Sequence, residues 1–210
     1  MINNRKDLIV LAADPTMQRT IQTLFDHRRE ALGISSFSVD VQAHRNRDPG
    51  CRTAAGDVLN PARHSHRKAI VVFDLHGCGE NLRTAGQLEI ALEHEFEDRG
   101  WEDDSVAFVV IEPELETWLF GAAFQRIETA IGWSQTTPLR EWLESNGHLS
   151  AGEIKPVDPQ AAVDAALEQE RRPRTARMFA DLARRVSLAH CQDRAFQKFR
   201  STLQRWFPAQ

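Results

Sequence analysis

The chain has 210 residues, an apolar share of 41% that is ordinary for a globular protein, and a formal net charge of −4. That length suits one domain, or one domain with a helical extension, and allows a real core. No apolar run approaches the roughly 18 residues of a membrane span. At the N-terminus Asp14 and Pro15 interrupt any signal-like apolar stretch, and the three widely spaced cysteines (Cys51, Cys78, Cys191) fit neither a zinc motif nor a disulfide framework, so a reducing cytoplasm is expected.

In chain order, "DLIVLAA" is a continuous apolar run, the pattern of a strand covered on both faces. Asp14-Pro15 follows as a helix start, and Met17, Ile21, Leu24 and Phe25 mark one face of a helix to about residue 29. "SFSVDVQA" alternates and predicts a half-covered or edge strand. "RDPGC" predicts a turn, and "RTAAGDVLNPARH" a weak helix ended by Asn60-Pro61. "AIVVFD" is the clearest buried strand. Leu88, Ile90, Ala91, Leu92 and Phe96 predict a helix that stops at Gly100. "SVAFVVIE" is a fourth strand, and Pro113 opens a helix, "PELETWLFGAA". Beyond residue 121 only helices are expected: "PLREWLES" ended by Gly147, "VDPQAAVDAALEQE", and amphipathic stretches over 174–186 and 193–207.

Strands separated by helices predict a three-layer α/β fold with a mostly parallel four-stranded sheet and right-handed crossovers. The expected division is an α/β domain over 1–120 and a helical C-terminal portion over 121–210 packed on it.

Sites in open parallel sheets form at the carboxyl ends of the strands. Three of those ends carry acids: Asp14 after the first strand, Asp74 ending the third, and Glu112 ending the fourth, with Glu114 and Glu116 just beyond. Convergent carboxylates suit Mg²⁺, and a metal there can clamp a phosphodiester and activate water. Each acid also has a structural reading. Asp14 serves as a helix cap, and the glutamates favour the positive N-terminus of the next helix. Asp74 is different, because a free charge ending a buried strand is costly without a partner. His76, two residues on, faces the same side if the strand continues. It is then a ligand or a proton acceptor, and it shifts the metal preference toward Mn²⁺ or Zn²⁺. Otherwise it faces solvent. The segment His44, Asp48, Pro49, Gly50, Cys51 predicts a polar turn after the second strand, with a substrate contact as the alternative.

The modest net charge hides a polarity. Residues 74–116 carry thirteen acids against Arg83 and Arg99, whereas residues 171–210 carry ten Lys/Arg against Asp181 and Asp193. Arg171, Arg172, Arg174, Arg177, Arg184 and Arg185 predict a surface for phosphates, since arginine matches phosphate in bidentate geometry. The acid-rich stretch 89–104 of the same chain is the other candidate partner for the basic tail.

Together these pieces resemble the Toprim-type domain, the catalytic fold of topoisomerases, bacterial primases and overcoming-lysogenization-defect nucleases. "AIVVFDLH" resembles that family's Asp-x-Asp strand, with Asp74 at the first acid and His76 at the second. Ala13 or Asp14 stands where the family's glutamate follows its first strand. "PELETWLF" is similar to the helix start of small Toprim-like proteins of bacterial phage defence, the RloB-like group among them, which places Pro113, Glu116 and Trp118 on that motif. The whole-chain order looks closest to the Toprim-like component of the methylation-associated defence system. The resemblance implies a cytoplasmic anti-phage defence component and a Mg²⁺- or Mn²⁺-dependent nuclease. Asp14, Asp74 and Glu116 would be its metal ligands, and Asp74, His76 and Glu116 its catalytic groups. The six arginines would hold nucleic acid, and other defence proteins would be partners. The alternatives are a non-catalytic Toprim-like subunit of a defence complex and a nucleic-acid-binding module with structural acids.

Overall fold

Four strands form the centre of the computed structural model, which describes residues 5–121, 123–185 and 191–209. They are β1 (Lys6–Ala12), β2 (Val39–Ala43), β3 (His66–Asp74) and β4 (Val106–Ile111), all parallel, in the order β2-β1-β3-β4. The two central strands and β4 are apolar and buried along most of their length, while β2 is half-covered at every residue. The alternating pattern of β2 reflects its place at the sheet edge.

The helices follow the crossover rule. β1 leads through α1 (Pro15–His27) and the short α2 (Arg29–Leu32) to β2 on one side. β2 leads through α3 (Arg47–Ala62) to β3, and β3 through α4 (Ala85–Glu97) to β4, on the other. Right-handed connections running in opposite directions put α1 on one face and α3 and α4 on the other. Asp14 caps α1 by accepting from the Met17 N–H at 2.8 Å, with Pro15 in its first turn.

Two local expectations are corrected. The "RDPGC" stretch is not a free turn but the start of α3, which is kinked at Ala54. "PELETWLFG" winds as a 3-10 helix over Leu115–Gly121, after a cis Glu112-Pro113 bond, rather than as an α-helix. Residue 122 of that stretch, and residue 186 at the end of the helix expected over 174–186, lie outside the described residues.

The rest of the described chain is helical: α5 (Phe124–Ile131), α6 (Leu139–Ser145), α7 (Pro159–Gln169), α8 (Ala176–Arg185) and α9 (Arg194–Trp206). These helices share one hydrophobic core with the sheet. α8 packs on α1 and α9 on β4. Phe199 of α9 stacks on Phe25 of α1 at 6.0 Å and lies 5.9 Å from Trp118.

The basic face of α9 has a definite task at the edge strand β4. The Phe108 and Val110 N–H groups, which point away from the sheet, donate to Glu93 Oε1 at 2.9 Å and Glu89 Oε1 at 2.7 Å on α4. Arg194 then bonds both Glu89 oxygens and the Val110 carbonyl, and Lys198 bridges Glu89 and Glu93. An exposed row of strand donors and acceptors invites pairing with other chains; here carboxylates and their cations cover it. Further along, Arg205 binds both oxygens of Asp104. The acid-rich stretch 89–104 is therefore a partner of the basic tail, through α9 rather than through arginines 171–185.

Candidate functional site

The strand order reverses between β1 and β3, since β1 runs on to β2 in one direction and β3 to β4 in the other. That is the switch point at which open α/β sheets bind ligands, beyond the carboxyl ends of the strands. Asp14 follows β1 there, and Asp74 ends β3.

Asp74 is the centre of the arrangement. Its main-chain N–H donates to Asp48 Oδ1 at 2.8 Å. Its own Oδ1 is buried and has no hydrogen-bond partner. Burial pushes the Asp74 carboxyl well above the usual carboxylate range, and the surrounding carboxylates of Asp48, Glu116, Glu114 and Asp14 push it the same way. A buried polar atom without a partner is uncommon and calls for a ligand, an ion or a proton. Asp48, also raised by burial, feels the charge of Asp14 in addition.

Asp48 is positioned by the first turn of α3. Gly50 makes that turn possible against His44, because a Cβ on Gly50 would lie 2.1 Å from His44 Nδ1. The His44 ring is buried and accepts from the Asn46 N–H at 3.0 Å. In the sequence Asp48 stands in a polar turn with a possible substrate contact, and nothing there joins it to Asp74. The rule that singled out acids after the other three strands applies equally to the loop after β2, and would have found it.

Glu114 and Glu116 leave β4 through the 3-10 helix, and both are buried, Glu116 at 1% exposure. Glu114 accepts from the Gln160 N–H at 2.8 Å, which ties the site to α7. Glu116 is bonded to the Arg174 guanidinium. Burial pushes its carboxyl up to about 7, against the pull of Arg174. Arg174 also reaches Asp164 Oδ1 at 3.3 Å and lies over the Phe179 ring at 5.2 Å.

His76 does not continue the strand. β3 ends at Asp74, the His76 N–H donates to the Pro113 carbonyl, and the side chain is 75% exposed with Nδ1 3.5 Å from Glu114 Oε2. It therefore does not share the sheet face of Asp74. Cys51, close to the same acids, is buried, and both burial and their charge push its thiol up, away from a reactive thiolate.

The arginines are less free than their spacing suggests. Arg174 is committed to Glu116 and Asp164, while Arg177 and Arg184 flank Asp181 at 3.9 and 3.1 Å. Arg172 lies against Gly132, at the end of α5. Arg171 is exposed at the turn after α7, and the Arg185 carbonyl accepts from Arg126. Asp181 and Asp164 offset the mutual repulsion of Arg174, Arg177 and Arg184. A groove of about 600 Å³ between α1 and α8 is lined by Arg19, Arg177, Arg184 and Asp181, beginning at Pro15 beside Asp14.

The donor set at the switch point is all oxygen, the set a hard divalent cation prefers, and the unpartnered Asp74 Oδ1 is an acceptor such an ion would satisfy. Asp74 would be its first ligand, and Asp48, Glu116, Glu114 and Asp14, whose charges act on Asp74, are the acids that could join it. No three Asp, Glu, His or Cys side chains among the described residues stand together closely enough to hold a metal. Among the described residues no helix is long and apolar enough to cross a membrane. The fold and site define an α/β protein with an acidic switch point. Compared with models of protein families, with curated proteins and with solved structures, the chain matches none.

Proposed function

We propose that the chain is a Toprim-like component of bacterial anti-phage defence that binds Mg²⁺ or Mn²⁺ at its acidic switch point and acts on phosphodiester bonds. The observation that carries this reading is the buried, unpartnered Oδ1 of Asp74, surrounded by carboxylates of Asp48, Asp14, Glu114 and Glu116. A bound cation would supply charge to neutralise a phosphodiester and lower the pKa of a water. Asp74 and its acidic neighbours would hold the cation. His76, exposed at the rim beside Glu114, would be the proton acceptor for a substrate coming from solvent. Arg19, Arg177 and Arg184 in the α1–α8 groove offer donors to phosphate oxygens. The motif order "VVFDLHGCG…PELETWLF" supports the assignment to defence.

A second reading is a non-catalytic Toprim-like subunit that docks on other defence proteins. The Glu116–Arg174 pair favours it, because it neutralises an acid internally. Thermal unfolding with and without millimolar Mn²⁺ decides between them. The first reading expects a rise in Tm for the wild type that Asp74→Asn abolishes, together with chelator-sensitive cleavage of labelled DNA or RNA. A wild type that responds no more than Asp74→Asn overturns it in favour of the subunit.

A further inference from the structure

We propose that Ser65, His66 and Asp40 form a second reactive site, in which Ser65 is a nucleophile for small activated esters. The proposal stands apart from the cation-binding reading above. It concerns the amino-terminal ends of β1, β2 and β3, whereas the acidic switch point lies beyond the carboxyl ends of the strands.

The three side chains are linked in series. Ser65 Oγ is 2.9 Å from His66 Nδ1, and His66 Nε2 is 3.0 Å from Asp40 Oδ2. A hydroxyl within reach of an imidazole that a carboxylate orients is the arrangement that activates a serine. The same contacts assign the protons. Lys6, and after it His66, holds the Asp40 carboxyl below the usual carboxylate range, so Asp40 only accepts. A neutral ring therefore carries its proton on Nε2, which leaves Nδ1 an acceptor facing Ser65. The Ser65 hydroxyl satisfies it. The other acceptor within reach of that hydroxyl, the Ala62 carbonyl at 3.1 Å, already receives the Ser65 N–H at 2.9 Å.

The main chain around the pair is held by β1 and its approach. The Lys6 N–H donates to the Ser65 carbonyl at 2.8 Å, and Arg5 Nε donates to the His66 carbonyl at 3.1 Å. Lys6 Nζ bonds the second oxygen of Asp40. His66 is buried and Ser65 is exposed, so the base is fixed within the protein while the nucleophile meets solvent. All three side chains line a pocket of about 570 Å³. Ile9, Val41, Val58, Pro61 and Ala62 share its wall, which suits a short alkyl chain on the acyl group.

The reaction this geometry allows is acyl transfer to Ser65 and on to water. Ser65 Oγ bonds to the acyl carbon as its proton passes to His66 Nδ1. The ester C–O bond breaks, and the leaving oxygen keeps the electron pair and takes that proton. Water then attacks the acyl-serine, gives a proton to His66, and the acid departs as the proton returns to Ser65 Oγ. Asp40 is a positioning residue: it fixes the tautomer and balances the charge of the ring.

The test treats the full chain with an alkyl fluorophosphonate, whose fluoride Ser65 displaces irreversibly, and with p-nitrophenyl butyrate. Peptide mass spectrometry is expected to place the phosphonate on Ser65, and Ser65→Ala to lose both the adduct and the release of nitrophenol. His66→Gln is expected to slow both reactions about a hundred-fold or more, the contribution of a positioned base. Asp40→Asn is expected to slow them as well and to move the ring proton off Nε2, read from the ¹⁵N shifts of His66; an Asp40 with a merely structural role would leave the tautomer unchanged. The adduct is mapped on the wild type, so this part of the test needs no variant to fold. A wild type without an adduct at Ser65 overturns the proposal. Labelling at Ser65 that proceeds equally fast in folded His66→Gln marks an ordinary surface hydroxyl and overturns it too.

Discussion

The main-chain N–H of Asp74 donates to the carboxylate of Asp48 at 2.8 Å, so the last residue of the central strand β3 is tied to the helix that follows the edge strand β2. The bond joins two acids that repel each other, and its net effect depends on which property of Asp48 is removed. Asp48→Asn keeps an acceptor and removes a charge; it is expected to leave stability unchanged or raised at neutral pH and to bring the Asp74 carboxyl back toward its ordinary range. Asp48→Ala leaves the Asp74 N–H without an acceptor and is expected to cost about 1–3 kcal/mol. Urea unfolding of both variants, with carboxyl titration of Asp74 by NMR, separates the two effects.

The pH dependence of stability follows from the raised acids. Burial raises the carboxyls of Asp74, Asp48 and Glu116 in the folded protein, the last to about 7 from 4.5. A folded-state carboxyl pKa above its unfolded value contributes stability that is complete below the unfolded pKa and lost as pH rises through the folded one. Stability is therefore expected to fall as pH rises from about 4.5 to about 7, and Glu116→Gln to flatten that fall. Asp7, Asp40 and Asp104 are lowered by their hydrogen bonds, and their contribution is lost only at more acid pH. Tm measured across this range checks the slope.

The β4 edge carries a larger expected loss. Glu89 is 2% exposed and holds the Val110 N–H, Arg194 and Lys198. Glu89→Ala leaves a strand donor and partly buried cations unpaired, with an expected cost of about 3–5 kcal/mol. It also uncovers the edge, so light scattering on warming is expected to rise. Pairing Glu89→Leu with Arg194→Met should cost much less than the sum of the single changes, as a double-mutant cycle would show.

Gly50 is expected to tolerate no side chain. A methyl group there meets the buried His44 ring, so Gly50→Ala must shift the first turn of α3 and with it Asp48. The expected cost is about 1–3 kcal/mol. A drop in the protection of the Asp74 amide in hydrogen exchange would show that the shift reaches the site.

The strands were legible because each is an apolar or alternating run, and Asp74 because "AIVVFD" ends on a charge. Asp48 was hidden by Asp-Pro-Gly, which is turn chemistry as readily as the opening of a helix. The placement of His76 hung on one residue of strand length: β3 stops at Asp74, and Gly77 turns the chain at a φ of 87° just beyond. The arginines gave the clearest lesson. Composition counts charges but not partners, and Arg174 meets Glu116 across 58 residues while Arg194 meets Glu89 across 105.

The cover over β4 comes late in the chain: Val110 and the Arg194 that binds its carbonyl are 84 residues apart. At ribosomal speeds of roughly 5–20 residues per second, the strand emerges about 4–17 s before its cover does. For that interval the rim of the nascent strand is only half closed: Glu89 and Glu93, from the helix already made, hold the Phe108 and Val110 N–H groups without their cations, and the Val110 carbonyl waits for its donor, so this stretch is the target of a chaperone acting during translation.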